Sequence, residues 1–127
     1  MTTAVLEIRT YRLHPGTRDV FHRVMSEQGM RLLAEAGIDV VHCGPSEFDE
    51  DDEQEYVLIR AFESLSARQQ AEDRFYGSRK WKDGPRADIV SRIKSMHTVV
   101  LTVPVEAVIS LRSVPEPGGR SGIHGSA

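Results

Sequence analysis

Hydrophobic and polar positions alternate with a period of two from the start of the chain. In VLEIRTYRLHPG, residues 5–16, Leu6, Ile8 and Thr10 fall on one side and Glu7, Arg9 and Tyr11 on the other, the pattern of a β-strand. Pro15-Gly16 breaks it, and in TRDVFHRVMSEQGMRLLAEAG the apolar residues Val20, Phe21, Val24, Met25, Leu32, Leu33 and Ala36 recur at helical spacing, with Gly37 placed as a C-terminal cap. Gly29, inside that helix, costs about 1 kcal/mol relative to alanine, so a kink or a close packing contact is expected there. IDVVHCG and EYVLIRAF read as two strands joined by the polar stretch PSEFDEDDEQ, a hairpin. In the second of them Val57, Ile59 and Ala61 oppose Tyr56, Leu58, Arg60 and Phe62. Ser64 or Ser66 can cap a short helix carrying Ala67, Ala71 and Phe75. YGSRKWKDGP is turn-rich, Pro85 suits the first position of a further helix with Ala87, Ile89, Val90 and Ile93, and HTVVLTV, residues 97–103, forms the last strand.

The element order, β-α-β-β-α(α)-β, predicts an α+β fold, the ferredoxin-like sandwich. Both helical layers then cover one side of a four-stranded sheet and leave the other side without helices. The row holding Arg9, Tyr11, His42 and Arg60 among Val5, Val40, Leu58 and Phe62 is too apolar for free water and too polar for a dry core. It is therefore expected on the helix-free side, facing a second copy and lining a cavity between two sheets. VEAVISLR, residues 105–112, can form an ordered segment, whereas SVPEPGGRSGIHGSA, from Ser113, has the composition of a flexible tail.

At 127 residues the chain fits one domain. Sixteen Lys and Arg against nineteen Asp and Glu give a formal charge of −3, which points to neither nucleic acid nor an acidic membrane as a partner. The single cysteine, Cys43, cannot form an intramolecular disulfide. With no signal-peptide pattern and no apolar run of the roughly 20 residues that a membrane helix needs, a cytoplasmic protein is expected.

Arg9, Tyr11 and Arg60 form the sharpest group, because adjacent strands can bring two guanidiniums and a phenol together as a cradle for a carboxylate, enolate or phosphate. The competing reading is a structural ion-pair network, with Glu7 and a carboxylate of the partner subunit neutralising the arginines. His42, taken to share a face with Val40, suits general acid or base work if it reaches the same cavity, and is otherwise just hydrogen-bonded. His97 gets the same reading, and His14 lies in a turn. Cys43 should point away from His42, packed against a helix. The histidines show no metal-ligand spacing, so neither a metal nor a cofactor is expected. Between Arg74 and Lys94 seven Lys and Arg stand against Asp83 and Asp88, a solvated basic face that balances the acidic loop at Asp49 to Glu55. That loop lacks calcium-ligand spacing.

LEIRTYRLHPGTRDVFHRVM, FYGSRKWKDGPRADI and HTVVLTV resemble the NIPSNAP family, which is similar to the dimeric α+β barrel superfamily, over residues 4–103. The resemblance implies a homodimer, two copies forming a barrel with facing sheets, and a domain over 1–104 followed by a C-terminal extension over 105–127. It implies a small-molecule pocket without naming its occupant, since related barrels include cofactor-independent monooxygenases, haem-handling proteins and polyketide-processing enzymes. It also favours a structural or pocket-rim role for Trp81. The expected function is therefore binding of a small polar or anionic metabolite by Arg9, Tyr11, His42, Arg60 and Trp81. If there is turnover, Tyr11 or His42 would move protons in proton transfer or cofactor-independent monooxygenation. The alternative is a ligand-sensing or protein-interaction module without turnover.

Overall fold

The computed structural model describes residues 2–112. Strand β1 (Thr3–Leu13) turns through Gly16, whose φ of 78° is left-handed, into helix α1 (Arg18–Val24). The helix widens into a π-helical turn over Met25–Gly29, at the position where glycine interrupts the pattern, and resumes as α2 (Met30–Glu35). Gly37, at φ 77°, ends it: its N–H donates to Ala34 O (3.0 Å) and that of Ile38 to Leu33 O (2.9 Å), which satisfies the last carbonyls of the helix. The hairpin follows as β2 (Asp39–Pro45) and β3 (Glu55–Phe62). Its acidic loop is tied down, because Asp49 accepts hydrogen bonds from Arg18 (2.6 Å) and from the Glu55 N–H (3.2 Å).

Helix α3 (Leu65–Tyr76) starts at Ser64, whose hydroxyl accepts from the Ala67 N–H (3.0 Å). The stretch expected to be a turn contains a short helix, α4 (Arg79–Lys82), capped by Ser78; α5 (Arg86–Val90) comes next. Strand β4 (Ile93–Pro104) begins four residues before its expected start, and α6 (Val105–Arg112) completes the described chain. The sheet order is β2-β3-β1-β4, antiparallel throughout, as the ferredoxin-like order requires. The tail expected to be flexible from Ser113 lies outside the described residues. Among the described residues no helix is long and apolar enough to cross a membrane.

Two expectations about faces are corrected. Register pairs Val5 with Phe62, Glu7 with Arg60, Arg9 with Leu58 and Tyr11 with Tyr56, so these side chains do share one face, but it is the face that the helices cover. Tyr11, Leu58 and Tyr56 pack there with Phe21, Met25, Leu33, Phe75 and Ile89. The other face is the apolar one. Leu6 and Ala61 pack under Val108 of α6 as a small second core, while Val99 and Leu101, paired with Ile8 and Leu6, remain 39% and 42% exposed. The charged row tolerates the interior because α3 brings it a counter-charge, which composition along β1 alone does not reveal.

The second correction concerns His42. The β2–β3 register shifts between Val40 and His42, so Val40 pairs with Arg60 but His42 with Ile59 and Cys43 with Leu58. A bulge adds a residue and so breaks the parity of a strand. His42 is thereby exposed on the face away from Arg9, Tyr11 and Arg60 and does not join them. Cys43 packs among the helix-side core, its Sγ 3.2 Å from the Tyr56 hydroxyl, and burial raises its thiol pKa.

Candidate functional site

The floor of the site is a buried polar layer between sheet and α3. Arg68, Glu72 and Tyr76 are spaced by four, so α3 presents them in one row above Glu7 and Arg9 of β1 and Arg60 of β3. Arg60 is fully buried; its Nε and Nη2 lie 2.7 and 2.6 Å from Glu7 Oε1, and Nη2 also donates to Glu72 Oε2 (2.8 Å). Arg68 donates to Glu7 Oε2 from Nε (2.8 Å). Arg9 reaches Glu72 Oε2 (3.2 Å) and donates from Nη1 to the Tyr76 hydroxyl (3.2 Å), which also accepts from Arg60 Nη1 (3.0 Å). Three guanidiniums against two carboxylates leave a net positive charge. Arg9 Nε sits 3.3 Å from Glu7 Oε1 without the alignment of a hydrogen bond, a buried donor left without an acceptor among the described residues.

The two carboxyls are driven apart in proton affinity. Burial works to raise the pKa of Glu7, but a hydrogen bond from Glu72 and the charges of Arg60 and Arg9 overcome it and lower it to about 2. Burial and the hydrogen bond to Glu7 raise that of Glu72, which is therefore the carboxyl of the pair that takes a proton first. Burial likewise pushes the Tyr11 phenol up to about 12, helped by the neighbouring Tyr76 and only partly offset by Arg9. Tyr11 is a neutral hydrogen-bond donor at ordinary pH. Arg9 stays charged despite its burial, because Tyr76, Tyr11, Glu7 and Glu72 surround it.

Above this floor a cavity of about 520 Å³ opens between sheet and helices, within the usual range for small-molecule sites. Arg9 and Tyr11 line its polar end. Met25, Leu33, Leu58 and Ile89 give it apolar walls, and the π-helical turn contributes Met25 and Gly29. Such turns recur at functional sites. Phe75, Tyr76 and Trp81 form an aromatic side wall, with ring centroids 4.9 to 5.5 Å apart. Trp81 is held there because the Ser78 hydroxyl caps α4, accepting from the Trp81 N–H (3.3 Å). Lys82 and Arg86 line the cavity from exposed positions.

Of the residues expected to make the site, Arg9, Tyr11 and Trp81 line this cavity, Arg60 lies behind it with both carboxylates, and His42 is on the other side of the sheet. The second carboxylate, expected from a partner subunit, is instead Glu72 of the same chain. Arg68 and Glu72 were missed; their spacing by four was the available signal.

None of the curated proteins compared with this chain matches it. Among solved structures it is similar to a NIPSNAP family protein of unknown function from Agrobacterium tumefaciens strain C58, with 25% identity, a TM-score of 0.71, and coverage of 80% of this chain and 88% of that one. An uncharacterized NIPSNAP domain protein from Burkholderia xenovorans gives 20% identity and a TM-score of 0.68 over 76% of this chain and 91% of that one. SnoaB, a cofactor-independent oxygenase from Streptomyces nogalater, shares 13% identity with a TM-score of 0.54, over 77% and 90% of the two chains; that likeness is one of fold. The NIPSNAP family model matches residues 6–106, which take in all four strands apart from the first three residues of β1 and every residue lining the cavity. The chain belongs to the NIPSNAP family.

Proposed function

We propose that this protein is a homodimer that binds a small organic anion in the cavity between sheet and helices of each subunit. The observation that carries this reading is the polar end of the cavity, where Arg9 and the neutral Tyr11 phenol meet an otherwise apolar and aromatic chamber. A carboxylate or enolate placed there gains charge-assisted hydrogen bonds from largely buried donors. Arg60 acts from behind, sharing Glu7 and Glu72 with Arg9, so that the two carboxylates do not cancel the positive charge of the guanidiniums at this end of the cavity.

If the bound anion reacts, the residues favour stabilising negative charge on it, as in proton transfer or oxygenation without a cofactor. The same fold carries a cofactor-independent oxygenase in Streptomyces nogalater. The second reading, a ligand-sensing module without turnover, has its own support: among the described residues neither a carboxylate nor an imidazole, the side chains that most readily serve as general bases, lines the cavity. Homodimerisation through the apolar sheet face is supported by exposed Val99 and Leu101 and by the dimeric barrel architecture implied by the resemblance.

Arg9→Gln tests the reading. Binding of 2-naphthoate, followed by calorimetry and by Trp81 emission, should weaken at least tenfold while circular dichroism and thermal unfolding show a folded protein. Unchanged affinity in the folded variant would overturn the assignment of the anion to Arg9.

A further inference from the structure

The cavity has a charge pattern along its length that an ordinary monoacid leaves half used. Its inner end carries Arg9, already engaged with Glu7, Glu72 and Tyr76. Its middle is apolar and aromatic. Its outer end carries Lys82 and Arg86, both exposed, beside the exposed apolar side chains of Val90 and Met96. Most other cations between Arg74 and Lys94 are matched: Arg79 lies 3.2 Å from Asp83, Lys80 3.6 Å from Glu35, Arg92 3.6 Å from Asp88 and Lys94 3.0 Å from Glu53, while Arg74, like Lys82 and Arg86, has no such partner among the described residues but does not line the cavity. Lys82 and Arg86 do line it, and no carboxylate among the described residues comes within ion-pair distance of either.

From this arrangement we propose that the ligand is an elongated amphiphile with an anionic group at each end. One anion sits at Arg9 and Tyr11, an aromatic or branched body fills the chamber against Phe75 and Trp81, and a second carboxylate or phosphate sits at the mouth between Lys82 and Arg86. This rests on the reading of the cavity as an anion site and adds the substrate class. A body without the outer anion leaves two cations facing an occupied apolar mouth with no counter-charge. A ligand with it gains two exposed ion pairs, individually weak but directed at the same group.

Three rod-shaped probes separate the possibilities: biphenyl-4-carboxylate, biphenyl-4,4′-dicarboxylate and 4′-phosphonobiphenyl-4-carboxylate. Affinities come from calorimetry at low salt, with emission of Trp81, the chain's only tryptophan, reporting that the probe is in the cavity. Both dianions should bind about tenfold more tightly than the monoacid, about 1.4 kcal/mol, with the advantage shrinking as salt is added. In the double variant Lys82→Gln/Arg86→Gln their affinity should fall to that of the monoacid. A preference of the phosphonate over the dicarboxylate would assign the outer group as phosphate, and the reverse order as carboxylate. Equal binding of all three probes by the native protein would overturn the proposal while leaving the Arg9 site standing. Failure of every probe to bind would overturn both.

Discussion

Replacing Glu7 by Gln would remove the carboxylate that Arg60, Arg68 and Arg9 share inside the protein. Leaving Arg60 without its principal partner is expected to cost about 3 kcal/mol at pH 7. The pH dependence has a definite sign. The folded-state pKa of about 2 lies below the ordinary 4.5, so the stabilisation is complete above pH 4.5 and is lost as the pH falls toward 2. Thermal unfolding of native protein and variant should therefore differ most at neutral pH and converge in acid; a constant gap from pH 7 to 3 would exclude the ionised Glu7. Glu72→Gln should be milder, below about 1.5 kcal/mol, since Glu72 is the carboxyl whose pKa burial and Glu7 raise, and so the one less strongly held in its charged form. At this scale the alternation of β1 showed that Glu7, Arg9 and Tyr11 share a face. It could not show which face, because parity divides a strand into two sides without saying which one a helix covers. Charge was a misleading guide, since the neutralising groups come from α3, 60 or so residues further along.

The spacing of most elements was readable because they are punctuated by chemistry the backbone needs, Gly16 and Gly37 at left-handed turns and Ser64 as a cap, whereas α4, capped by Ser78, was read as a turn. Two local departures from regularity were not readable. The π-helical turn sits where Gly29 was expected to kink the helix or to pack closely, and a Cβ there would lie 3.1 Å from Met25 Sδ and 3.7 Å from Ile89 Cδ1, both in cavity-lining side chains. Gly29→Val should accordingly weaken binding of biphenyl-4-carboxylate severalfold while the protein stays folded, as calorimetry of both variant and native protein would measure. Gly84 is different: a Cβ would fall 2.3 Å from the Lys80 carbonyl oxygen, a backbone atom that cannot move aside. Gly84→Ala should destabilise by about 1–3 kcal/mol in denaturant unfolding, and a neutral result would mean that the α4–α5 connection is looser than described. The bulge in β2 leaves little trace in composition, and one extra residue was enough to send His42 to the wrong side of the sheet and take it out of the site.

For the whole molecule, the ferredoxin-like order was legible from the sequence of patterns alone, but the placement of the pocket was inverted. The apolar row of Leu6, Ile8, Val99 and Leu101 was the better candidate for a partner, since its burial needs no counter-charge. Val99→Glu/Leu101→Glu should convert the proposed dimer to monomer in light scattering, with the cavity still able to bind its probe; a monomeric native protein at micromolar concentration would remove the partner from this face. Because β1 supplies Glu7, Arg9 and Tyr11 to the chamber and Leu6 and Ile8 to the outer face, neighbouring codons govern separate properties. If the outer face is the dimer seam and the chamber the anion site, as proposed above, drift at even-numbered positions of this strand revises who the chain associates with and drift at odd-numbered ones what it holds, so a lineage can change either trait while inheriting the other intact.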